Sequence, residues 1–84
     1  MKKTKTKPAA MNESSLLKEL GDRIRMIRLG KDMTQSQLAI NCNFEKSSMS
    51  KIESGQVNLS YITLHRISKG LDVHVSELLP SKKD

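Results

Sequence analysis

An all-α fold, a bundle of five short helices, is what this sequence predicts, and three observations carry the prediction. Apolar residues recur at helical spacing early, at Leu17, Leu20, Ile24 and Ile27, and late, at Tyr61, Leu64, Ile67 and Leu71. The apolar content of 36% is aliphatic and rich in methionine, and aromatics make up only 2%, so the residues that favour sheets are scarce. Between the two stretches, TQSQLAINCNFEKSSMSKIESG has the punctuation of two short helices joined by a tight turn.

Eighty-four residues predict one domain with a modest core and little room for an enzyme pocket. Residues 1–12 are polar and lysine-rich, contain Pro8 and show no period. They read as a disordered arm, either a solubilising tail or a segment that touches nucleic acid. The folded domain is expected over 13–80, with a frayed tail at 81–84.

The first helix is expected from near Ser14 to near Lys31. Lys18, Arg23, Arg25 and Arg28 fall largely off its apolar stripe, and Asn12, Ser14 or Ser15 can cap its start. Met33 should then enter the core just before Thr34. Thr34 and Gln37 fit a capping box, which starts a second helix over about Gln35 to Cys42. Leu38 and Cys42 share its inner face. Ala39 sits where a larger side chain would push the next helix away. Asn43 suits the left-handed backbone of a sharp turn.

The third helix, about Lys46 to Ser54, has Met49 and Ile52 on one face and ends at Gly55, a C-terminal stop. Ser60 is a plausible cap for a fourth helix, Tyr61 to Leu71. A last short helix near Val75 to Leu79 should end at Pro80.

The formal charge of +6 and isoelectric point near 9.7 favour polyanionic partners, nucleic acid before anionic membrane. Cys42 is the single cysteine, so no internal disulfide and no cysteine-based zinc site is possible, which suits a reducing cytoplasm. Cys42 reads as a small buried apolar residue rather than a redox switch. His65 and His74 read as surface or helix-end residues without metal-ligand companions. No apolar run reaches membrane-spanning length, and no spacing suggests a catalytic triad. No cofactor, metal or enzymatic activity is expected.

With these residues in view, the segment from Thr34 to Gly55 resembles the helix-turn-helix of the lambda-repressor-like family of DNA-binding domains. The shared features are TQ at the entry, LA one turn on, the turn residue Asn43 and IES-G at the exit. The resemblance continues through NLSYITLHRISKGLDVHVSELL and back through LGDRIRMIRLGKDM, roughly Ser14 to Leu79. It implies the five-helix bundle with the motif at helices two and three.

It also implies roles. The third helix should present Lys46, Ser47, Ser50, Lys51 and Ser54 opposite Met49 and Ile52. Lys46, Ser47 and Lys51 match the family's base-contacting positions, and Ser50 lies beside them. Lysines can reach guanine edges or phosphates, and small serines let the backbone come close. Phosphate contacts are expected from Gln35 at the start of helix two, and from Ser54, Gln56, Asn58, Ser60 and Tyr61 on the other flank. Arg28 and Glu53 match positions the family pairs as a structural ion pair that locks the angle of the third helix.

Glu45 departs from the family, which prefers Ser, Thr or Asp there. It either accepts from cytosine N4 or points away toward Lys46 or the helix dipole. Asp72 stands where the family prefers Gly or Asn.

The expected function is therefore sequence-specific binding of double-stranded DNA by a transcriptional regulator, most simply a cytoplasmic repressor. It would act as a homodimer on a palindrome, with Val75, Leu78 and Leu79 offering the dimer contact. The alternative is a protein-interaction module of the same fold, such as an antitoxin or a domain that docks a partner protein. The charge on the DNA-facing side decides between them: Lys46 and Lys51, with Arg28 and the lysine-rich arm, argue for DNA, and Glu45 and Glu53 argue mildly against it.

Overall fold

The computed structural model describes residues 13–79. The expected arm at 1–12 and tail at 81–84 lie outside the described residues. Four α-helices follow one another: α1 Glu13–Gly30, α2 Gln35–Cys42, α3 Lys46–Glu53 and α4 Tyr61–Leu71. No strand occurs among the described residues.

The expected fifth helix is a single 3-10 turn, Val75–Leu78. Its bonds run three residues back, from Glu77 N to His74 O at 2.9 Å and from Leu79 N to Ser76 O at 3.3 Å. Leu79 is extended, with ψ 128°. The following Pro80 disfavours the helical region for the residue before it, so the turn stops before it can become α.

Each α-helix is closed the same way. A residue in left-handed conformation follows it, Asp32, Asn43, Gly55 and Asp72 in turn, with φ of 58, 62, 76 and 58°. In α2, Phe44 N reaches back to Ala39 O at 2.8 Å and Asn43 N to Ile40 O at 3.1 Å. Matching pairs close α1 (Met33 N to Arg28 O), α3 (Gln56 N to Lys51 O) and α4 (Val73 N to Ser68 O). This paired closure satisfies carbonyls that a helix end would otherwise orphan. Met33, Phe44 and Val73, which follow the left-handed residue in three of the four, turn inward against the core.

That core is Ile24, Leu38, Ala39, Cys42, Met49, Ile52, Ile67, Leu71 and Leu78. α2 packs against α3 and α4, α1 crosses α3, and the 3-10 turn seals α4 and α1. Two polar links reinforce the packing: Asn41 Nδ2 donates to Gly70 O at 3.1 Å, and Arg23 Nε donates to Glu77 O at 2.8 Å. Tyr61 departs from the expected stripe of α4. It is 68% exposed, because it stands in the first turn beyond the reach of the packed helices, and its ring meets His65 edge-on instead.

Candidate nucleic-acid interface

α3 divides sharply. Met49, Ile52 and Glu53 are buried, while Lys46, Ser47, Ser48, Ser50 and Lys51, together with Ser54 just beyond, are exposed. At 3.6 residues per turn, Lys46, Ser50, Ser54, Ser47 and Lys51 span an arc of roughly 140° with no buried residue among them. The chain leaves that arc uncovered. It holds two cations and three hydroxyls on short stems, a surface that lets a helix backbone approach a polyanion closely. Ser48 is also exposed, and no local pattern singles it out.

Glu45 precedes α3 in extended conformation, and its side chain makes no capping bond. It forms no ion pair with Lys46 among the described residues, whose one ion pair lies elsewhere.

That pair joins Arg28 of α1 to Glu53 of α3. Arg28 Nε donates to Glu53 Oε2 at 2.8 Å and Nη2 donates to Oε1 at 3.0 Å, a two-pronged geometry. Arg28 Nη1 donates to Met33 O at 2.8 Å. Arg28 is 7% exposed and Glu53 4%, so both charges depend on these partners. Gln35 joins them, donating from Nε2 to Glu53 Oε1 at 3.0 Å. One carboxylate thereby fixes the end of α3 to α1 and to the first residue of α2.

The sequence places Gln35 facing a phosphate, and the structure turns part of its amide inward. The backbone at the start of the helix remains open as well. Thr34 Oγ1 accepts from Gln37 N at 3.0 Å, and Thr34 N donates to Gln37 Oε1 at 2.8 Å, the reciprocal capping pair. The N–H groups of Gln35 and Ser36 keep no acceptor among the described residues. They stand at the positive end of α2.

On the other flank, several expected contacts are already engaged. Ser54 Oγ donates to Ser50 O at 3.0 Å and accepts from Gln56 Nε2 at 2.8 Å. Ser60 Oγ caps α4 by accepting from Thr63 N at 3.0 Å. Asn58 and Tyr61 are exposed. Asn58 and Lys51 line one open cleft with Phe44 and Thr63, so the loop after α3 and its lysine face the same space.

The expected dimer residues separate. Leu78 is fully buried in the monomer core and offers no surface to a second copy, which corrects that expectation. It closes the bundle because the 3-10 turn lays it against α4. Val75 is half-buried, and Leu79 is 51% exposed. Ile40 and Ile62 are exposed as well, and spacing does not mark them, since each lies off the helical stripe of its element.

Cys42 is 3% exposed, and burial pushes its thiol up to about 11. His74 Nδ1 accepts from Ser76 N at the head of the 3-10 turn. Among the described residues no three His, Cys, Asp or Glu side chains converge as metal ligands would. No helix among them is long and apolar enough to cross a membrane.

Comparison with known proteins adds to this geometry. A helix-turn-helix domain model matches residues 19–79. Control protein C.BamHI of Bacillus amyloliquefaciens is 40% identical over 60 residues, which is 70% of this chain and 74% of that protein. The immunity repressor protein of Bacillus phage phi105 is 35% identical over 60 residues, 71% of this chain and 42% of the repressor. The crystal structure of the restriction-modification controller protein C.AhdI from Aeromonas hydrophila is similar at a TM-score of 0.73 and 30% identity, covering 75% of this chain and 96% of that one.

Proposed function

Because the chain belongs to the helix-turn-helix domain family, we propose that it is a DNA-binding transcriptional regulator in which α2 and α3 form the motif and α3 enters the major groove. One observation carries this: an uncovered arc of serines and lysines on a helix whose other face is sealed into the core and fastened by Arg28 and Glu53.

Lys46, Ser47, Ser50 and Lys51 read base edges. Lysine Nζ donates to guanine O6 or N7, and the serine hydroxyls adapt to several bases. Phosphates are held at the start of α2 by Gln35 and the neighbouring N–H groups, and beyond α3 by Ser54, Gln56, Asn58, Ser60 and Tyr61. Ser54 and Gln56 brace one another, which fixes their positions before DNA arrives. Ser60 contributes mainly by capping α4. These contacts set register and most of the affinity, and the base contacts choose the sequence.

Two copies act together as a homodimer on an inverted repeat, with Val75 and Leu79 at the contact. Occupying a promoter in this way represses it by excluding polymerase. The likeness to control proteins across most of their length favours a controller-type regulator in the cytoplasm.

Selection of bound duplexes from a random DNA pool tests the proposal. An enriched inverted repeat is the expected result. Salt-sensitive binding to every duplex, with nothing enriched, would remove it.

A further inference from the structure

We propose that Lys18 and Arg25 of α1 clamp a phosphodiester of the DNA backbone on the flank of α3, in the cleft they share with Gln35 and Ser54. The proposal rests on the DNA-binding reading and extends it to a helix outside the motif.

The packing of α1 on α3 carries it. A Cβ on Gly21 would stand 2.5 Å from Glu53 O and 2.6 Å from Ile52 O, so the two helices meet backbone to backbone. Gly55, left-handed at φ 76°, lies against the Lys18 backbone, and a Cβ there would stand 2.8 Å from Lys18 Cα. This approach brings the α1 side chains level with the exposed arc. Lys18 and Arg25 then line one open cleft with Gln35, Ser50 and Ser54, three residues already placed at the DNA.

Both cations are exposed, and neither forms an ion pair among the described residues. Asp22 lies in the same cleft, one turn from each, and opposes an anion. Glu53, the other carboxylate there, is already matched by Arg28. Two free cations against one exposed carboxylate leave the cleft positive beside the groove-facing side of α3. A phosphate there gains from the long stems of both side chains while Lys46, Ser47 and Lys51, which lie outside the cleft, remain free to read bases.

The test is the salt dependence of duplex binding by the wild-type chain and by Lys18→Ala, Arg25→Ala and Lys69→Ala. Lys69 is the control, since it lies in the last turn of α4 beside Asp72 and Glu77. Each phosphate no longer neutralised should flatten the plot of log affinity against log salt by about 0.9. Because the two cations share one phosphodiester, each α1 variant is expected to show part of that flattening, equally on a selected and a random duplex, leaving the ratio of the two affinities unchanged. Lys69→Ala should keep the wild-type slope. Thermal melts confirm that all four proteins are equally folded. Lys18→Arg should restore the slope.

Slopes for Lys18→Ala and Arg25→Ala equal to that of Lys69→Ala would overturn the clamp and leave the regulator reading standing. Failure to enrich any sequence would sink the regulator reading, yet the slopes on random DNA would still decide the clamp.

Discussion

Gln35 Nε2 donates to Glu53 Oε1 over 3.0 Å, so the first residue of α2 is bonded to the last residue of α3. The same carboxylate receives two bonds from Arg28. Three helices therefore converge on one buried carboxylate, a contact placed where it can set the angle at which α3 leaves the core. A pair of this kind need not add net stability, because desolvating both charges costs about as much as their attraction returns.

Removing one partner is different from removing both. Glu53→Ala strands the Arg28 guanidinium in the core and should cost about 3–5 kcal/mol in denaturant unfolding. The double variant Arg28→Met with Glu53→Leu fills the space without a charge and should recover most of that loss. Its affinity for duplex DNA should nonetheless fall, since nothing directional then holds α3. Full DNA affinity in a stable double variant would show that packing alone sets the angle.

Gly21 and Gly30 lie in one helix and should answer alanine in opposite directions. At Gly21 the new methyl meets backbone carbonyls of α3, which cannot rotate away. Gly21→Ala should destabilise by about 1–3 kcal/mol or more as the helices are forced apart. At Gly30 nothing lies within 4 Å of the added carbon. Gly30→Ala should raise stability by up to about 1 kcal/mol through helix propensity. Thermal melts of the two variants side by side check both signs.

The contrast shows what the sequence makes legible. The Thr34–Gln37 capping pair and the turn at Asn43 are readable because each is encoded within four residues. The two faces of α3 are readable because periodicity reports them directly. Leu78 is misjudged from sequence because its burial depends on where the chain end packs, which no local pattern states. Tyr61 continues the α4 stripe in spacing, yet no neighbour covers the first turn. The Gly21 contact has one available signal, a glycine inside a helix that tolerates it poorly, which points to a packing reason. Lys18 and Arg25 look like ordinary solvated charges until the crossing of α1 places them beside α3.

Cys42 gives a pH dependence of defined sign. Burial raises its thiol from 9.0 to about 11, so the folded chain holds the proton more tightly than the unfolded chain. The associated stability is fully present below pH 9 and is lost as pH rises toward 11. Alkaline pH acts on the rest of the chain as well, so the comparison must be with Cys42→Ala. The wild type should lose more stability than this variant between about pH 8 and 11. Below pH 9 a thiol reagent should label Cys42 only as fast as the chain opens, because the residue is 3% exposed and protonated. Rapid labelling of the folded chain would contradict the burial.

Lys46 and Lys51 stand at the two edges of the exposed arc, and their substitution separates base reading from simple charge. A lysine that donates to a guanine edge contributes about 1–3 kcal/mol of discrimination. Lys46→Ala or Lys51→Ala should then lower affinity for the selected duplex about 5- to 150-fold, and lower random-duplex affinity much less. A lysine that touches only phosphate behaves otherwise: both affinities fall together and the salt slope flattens. Lys51 also lines the cleft that holds Asn58, so it has a phosphate-side alternative within reach of its stem. Lys46, in the first turn of α3, is farther from that loop along the helix. Its loss should therefore give the larger change in specificity ratio, and an equal loss on both duplexes would show that α3 meets the groove with the Lys51 edge alone.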